Sequence, residues 1–244
     1  MTSISEIPDP PIADDALSSV SWLGGMVRRT GDVLKQNLVP GLILQAFVVL
    51  VIGGYYFVQP VTDFFDKVAD FKQSAGLVYS GVSTAIFAGL IPFLIQKSRP
   101  KFRDQIPAAH IWFYLVFWFF MGMEFDLMMR LQAWLFGSQG DWVTTLCKTT
   151  ADMLVYTPLM GLPTICIALL WRQTGFDFGK TLSILRDRLW WSNQYMSILI
   201  ANWIVWPLAL AGVYSLPLAL QIPVQNLVMC FWCVLLIFLS DESV

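Results

Sequence analysis

The chain has 244 residues, of which 57% are hydrophobic and 13% charged, and its mean hydropathy is +0.63. Soluble domains hold about 45 to 50% apolar and about 25% charged residues, so this composition excludes an ordinary aqueous globule and makes a bilayer the expected solvent. The net charge of -2, with no basic tail, excludes nucleic acid as a partner. Taken in chain order, Pro8, Pro10 and Pro11 keep the start extended, and no apolar run or Arg-rich stretch marks a cleavable targeting peptide. Leu17, Val20, Leu23, Val27 and Leu34 then recur at roughly helical spacing, which predicts a surface-lying amphipathic helix over residues 14–36.

Charge-free stretches follow at 37–62, 73–96, 105–123 and 153–171, each close to the length needed to cross a hydrocarbon core of about 30 Å. From Leu189 to Ser240 no Asp, Glu, Lys or Arg occurs in 52 residues, more than twice one crossing. That segment must fold back, and Tyr214 to Pro217 or Leu220 to Pro223 supplies the turn, because proline lacks an N–H and disfavours helix in the residue before it. Phe178, Leu182, Leu185 and Leu189 form a stripe with Lys180, Asp187 and Arg188 off it, which predicts a short interfacial helix. The fold class expected is all-α: a polytopic transmembrane helical bundle of about six spans, plus the N-terminal amphipathic helix and the short interfacial one. The corresponding divisions are a polar N-terminal segment at 1–37, an additional transmembrane helix at 38–60 and a bundle at 73–240.

With the N-terminus inside, the inner loops hold eleven of the Lys and Arg residues and the outer ones four, namely Lys67, Lys72, Arg130 and Lys148. This is the positive-inside asymmetry. Trp112, Trp134, Trp142, Trp171, Trp190 and Trp191 fall near span ends, where indole rings prefer the headgroup level.

Glu124 and Asp126 are acids inside a long apolar run, where an ionisable group is by default a functional candidate. A structural reading competes: Asp126 and Arg130 are four apart and can pair along a helix, while Glu124 is placed at the interface where the helix exits. Lys148 and Asp152 share the same spacing after a predicted N-cap at Asp141, and Pro158 and Pro163 interrupt the helix they enter, freeing carbonyls that need partners inside the bundle. Cys147, Cys166, Cys230 and Cys233 lie in or beside apolar segments and read as small buried hydrophobes; the lone Cys230-x-x-Cys233 has no second pair and no nearby histidine for zinc. His110 is the sole histidine, and GxSxG, HExxH, P-loop and GxGxxG patterns are absent. No catalytic, metal or cofactor site is therefore expected.

Several spaced elements resemble the Mpv-seventeen family, which includes the twenty-two kilodalton peroxisomal membrane protein. Pro107-x-x-His110-x-Trp112 is similar to that family's entry into a span, and Lys148-x-x-x-Asp152 followed by Pro158 is similar to its Lys-x-x-x-Asp-Gln and proline. Asn202-Trp203-x-x-Trp206-Pro207 resembles its Asn-Trp-x-x-Trp-Pro signature, and Gln221, Asn226, Trp232 and Leu239-Ser240 resemble its closing positions. The resemblance covers about residues 105 to 240. It departs where Met153 follows Asp152 instead of Gln, where Gln221 replaces an Arg, and where residues 208–213 are apolar or small. The resemblance implies a mitochondrial inner membrane, or second a peroxisomal one, and a weakly selective channel activity.

Because polarity is reduced at those interior positions, the leading expectation is a non-catalytic accessory or scaffold subunit of a multi-subunit inner-membrane complex, such as one of the respiratory chain, with lipid and protein partners. A stand-alone channel for ions or small metabolites, lined by some of Glu124, Asp126, Lys148, Asp152, Asn202 and Asn226, is the alternative. A membrane enzyme using the intramembrane carboxylates is the third reading.

Overall fold

The computed structural model describes residues 17–103 and 106–242. Its helices are α1 (Leu17–Phe57), α2 (Gln59–Thr84), α3 (Ile91–Ser98), α4 (Pro100–Arg103), α5 (His110–Phe136), α6 (Trp142–Ala151), α7 (Leu162–Gln173), α8 (Phe178–Arg186), α9 (Met196–Tyr214) and α10 (Leu218–Glu242). Three wide π-helical segments, Ala85–Leu90, Asp152–Gly161 and Trp190–Tyr195, join α2 to α3, α6 to α7 and lead into α9. Among the described residues, six helical stretches are long and apolar enough to span a membrane: Asn37–Phe57, Gln59–Ser98, His110–Phe136, Trp142–Gln173, Trp190–Tyr214 and Leu218–Phe238. This is the expected all-α membrane bundle. The ends of the chain, and the side chains of residues 17–34 on which the N-terminal amphipathic stripe rests, lie outside what is described.

Several boundaries differ from those read in the sequence, for identifiable reasons. The N-terminal helix and the first span are one continuous helix, because Pro40 is accommodated inside α1 and no capping residue intervenes. The fold-back falls at Ser215 to Pro217, whereas Pro223 lies within α10. The second stretch is 40 residues long. At about 1.5 Å per residue it would reach about 60 Å, twice the hydrocarbon thickness. Gly76 breaks it, with φ 59° and ψ -135°, a backbone state that side chains with a Cβ avoid. Residues 59–75 thus form a separate arm, and 77–98 make the crossing.

The helices meet where side chains are smallest. A Cβ on Gly122 of α5 would collide with the Ser80 carbonyl and the Thr84 side chain of α2, and one on Gly81 of α2 would meet the Phe119 ring of α5. Such close approach is how membrane helices gain dispersion contacts without a hydrophobic force between them. On the other side, α1 lies along α9, with Gly212 against Val48, Gly41 against Val205, and the Gln45 amide donating to the Val205 carbonyl at 2.6 Å. The Phe47 and Phe231 rings stack at 4.1 Å between α1 and α10. One buried apolar cluster runs through all of these helices, from Leu44 and Val48 to Val224 and Val228.

Replacing Gly122 with valine should force α2 and α5 apart and cost about 1 to 3 kcal/mol. Thermal unfolding in detergent, followed through tryptophan fluorescence, will show this as a lowered midpoint relative to the parent chain.

Candidate functional site

The end of the bundle bearing the 137–141 and 215–217 loops holds a dense set of buried polar side chains. Asp126 lies ten residues before the end of α5, about 15 Å down the helix. Its carboxylate accepts from Lys72 Nζ at 2.9 Å, Ser80 Oγ at 2.7 Å, and Arg130 Nε and Nη2 at 3.1 and 3.3 Å. Asp126 and Lys72 are buried, whereas the Arg130 side chain is 46% exposed. A lone carboxylate in hydrocarbon is prohibitive, so these donors make the position tenable. The Asp126–Arg130 pairing expected from spacing is present. Lys72 corrects the loop-charge count, for it is an interior counter-ion and not an outer loop residue. Phe65, Ala69 and Lys72 share one buried face at i, i+4 and i+7, and that stripe was the legible signal for it.

Glu124 also departs from its expected interfacial place, because α5 continues for twelve residues beyond it. It accepts from the Tyr156 hydroxyl at 3.0 Å. Asn226 of α10 bridges to α2, accepting from Thr84 Oγ1 and donating to Ser83 Oγ, each at 2.9 Å.

Asp141 caps α6 as expected, accepting from the Val143 and Thr144 amides at 3.0 and 3.1 Å. Lys148 and Asp152 do not form the pair their spacing suggested. The helix widens from Asp152 onward, and its carboxylate turns to other donors, the Tyr214 hydroxyl at 2.6 Å and Thr157 Oγ1 at 2.8 Å. Lys148 is fully buried and its Nζ has no hydrogen-bond partner. Gln132, also fully buried, lies beside Tyr214 without a hydrogen bond of good geometry. Ser80, Thr84, Gln132 and the interior role of Tyr214 were not read from the sequence, because isolated polar residues on helices show which face they occupy only once partners are placed.

The carbonyls loosened by the wide turn around Pro158 find donors on α9 and its leading segment: Trp203 Nε1 bonds to the Met153 carbonyl at 2.7 Å, and the Tyr195 hydroxyl to that of Pro158 at 2.6 Å. Trp203 therefore braces the helix that carries Asp152. Asn202 presents a buried, unpartnered Oδ1, and Pro207 lies inside α9. Trp206 and Trp232 pack at the edge of the core, and Trp112 is exposed. His110 is remote from the cluster, edge-on to the Phe176 ring at 5.4 Å. The sequence-derived residues thus divide: Glu124, Asp126, Lys148, Asp152 and Asn226 gather in the half of the bundle nearest the 137–141 loop, while His110 and Trp112 begin α5 at the opposite end. Among the described residues no three His, Cys, Asp or Glu side chains converge as metal ligands, and the four cysteines are free thiols.

Over 95 residues the chain is 32% identical to Protein SYM1 of Eremothecium gossypii, a match covering 38% of this chain and 48% of that protein. The chain spans about half the length of this curated relative. No family model and no solved structure matches it.

Asp126→Asn should leave the Lys72 ammonium buried without its counter-charge and destabilise the bundle by about 3 to 5 kcal/mol. Arg130→Gln, which alters the half-exposed partner, should cost about 1 kcal/mol or less. Paired melting curves of the two variants in the same detergent check the asymmetry.

Proposed function

We propose that this integral membrane protein is a weakly selective conduit for ions or small polar solutes, closed in the conformation described, and that it is a diverged relative of the Mpv-seventeen type. The observation that carries the reading is the buried Lys148 ammonium with no protein partner, set in the same half-bundle as Gln132, Asp152, Asp126 and Asn226. An unpaired ammonium and an unpaired amide in hydrocarbon are too costly to serve packing alone, and both become tenable in an interior that admits water or ions. Toward the other end the interior is mainly aromatic, with Phe93, Tyr114 and Trp118 buried and the buried Arg172 guanidinium 5.5 Å from the Tyr114 ring centroid. A hydrophobic constriction of this kind gates by excluding water. The similarity to Protein SYM1 and the spaced motifs around Asp152 and Trp203 support the family assignment, and with it the mitochondrial inner membrane as the favoured location.

The second reading is a non-catalytic accessory or scaffold subunit of a larger inner-membrane complex. The close aromatic packing around Phe93, Tyr114 and Trp118 favours it. The sequence argument for it rested on a loss of interior polarity, and the interior nevertheless holds Lys72, Asp126, Gln132, Lys148, Asp152, Gln221 and Asn226. The conduit reading therefore ranks first.

The parent chain, purified and reconstituted in planar bilayers, should pass current. Lys148→Met should keep the fold, since it removes an unsatisfied charge of similar length, yet shift the cation-to-anion permeability ratio toward cations at least twofold. Silence of the parent chain at verified incorporation, together with migration in a large complex on native electrophoresis, would hand the case to the scaffold reading.

A further inference from the structure

Two cations of the buried cluster also line a surface feature that conduction does not require. An open depression of about 560 Å³ is bounded by Lys72, Gln73, Arg130, Ser138, Pro217, Leu218 and Ala219. Three independent sources of positive potential meet there. Lys72 and Arg130 share the single carboxylate of Asp126, so the trio keeps one unit of positive charge. Arg130 commits Nε and Nη2 to Asp126, yet its side chain is 46% exposed, which leaves guanidinium N–H groups facing the depression. Leu218 and Ala219 are the first residues of α10, a 25-residue helix whose opening amides carry the positive end of its dipole. Helix-start amides beside a lysine and an arginine make a ready receptor for a tetrahedral oxyanion. Of the acids near the lining residues in sequence, Asp66 and Asp70 are exposed on the arm and Asp141 is exposed beside Ser138, where its carboxylate caps α6; none of the three is among the lining residues.

We infer that the depression between the arm ending at Gly76, the end of α5 and the start of α10 is a binding site for a phosphoryl oxyanion, held by Lys72, Arg130 and the α10 amides. The same chemistry is presented by a free phosphate-bearing solute and by the headgroup of an anionic lipid, because the site opens at the rim of the bundle. The inference concerns binding and holds whether or not the chain conducts.

The full-length protein in neutral detergent is titrated with inorganic phosphate against chloride at matched ionic strength, reading the thermal midpoint. In parallel, nanodiscs of phosphatidylcholine with or without phosphatidylglycerol are released into native mass spectrometry to count retained lipid. Gln73→Glu places a carboxylate on the rim at an exposed position with no structural role, and should weaken binding about tenfold through charge repulsion. Arg130→Gln should abolish it. A phosphate-dependent rise in midpoint that Gln73→Glu suppresses identifies a soluble ligand, and retained phosphatidylglycerol lost in Gln73→Glu identifies the headgroup; either supports the site. No stabilisation and no retained lipid in the parent chain, or effects of equal size in Gln73→Glu, would overturn it. Should Arg130→Gln fail to fold, the Gln73→Glu comparison decides the matter alone.

Discussion

The Asp126 carboxylate, about 15 Å along α5 and fully buried, sets the terms for the surrounding structure. Water is absent from the hydrocarbon, so donors have to come from neighbouring helices. They do so only because α2 and α5 touch at Gly122, close to Ser80 and Thr84. That contact brings the Ser80 hydroxyl to 2.7 Å from the carboxylate and, across the break at Gly76, the Lys72 ammonium to 2.9 Å. A bend that only glycine adopts comfortably, a close crossing that only glycine permits and one intramembrane ion cluster are thus parts of a single arrangement.

The rest of the polar interior follows the same logic with neutral groups. Asn226 ties α10 to α2 through two hydroxyls, and Tyr214 and Thr157 satisfy Asp152. Trp203 and Tyr195 accommodate the backbone that the wide turn around Pro158 loosens. Lys148 and Gln132 stand outside this pattern. Among the described residues, the other buried ions of the half-bundle have partners, and a fully buried ammonium without one marks the place where packing alone is an insufficient explanation. The rim depression, bordered by Lys72 and Arg130, lies beside that half-bundle.

Much of this is legible in the order of the residues. The absence of charge over residues 189–240 required the chain to fold back once, and the i, i+4 spacing of Asp126 and Arg130 announced their ion pair. Asp141 announced the start of α6. Lys148 and Asp152 show where spacing misleads: the Asp152 amide still bonds the Lys148 carbonyl one helical turn back, but its carboxylate is taken by the Tyr214 and Thr157 hydroxyls. Lys72 shows where charge counting misleads, since a lysine in a polar stretch between spans looks like a loop residue until an arm folds it inward.

Local hydrophobic length, together with the need of every backbone group for an internal partner, fixes the lipid solvent and the helical class from the residues alone. Which polar residues share an interior, which cation serves which carboxylate and which is left alone emerge only when the helices pack. Those outcomes hinge on helix rotation and on close approaches at single glycines, which place residues such as Lys72 and Asp126, 54 positions apart in the chain, within hydrogen-bonding distance.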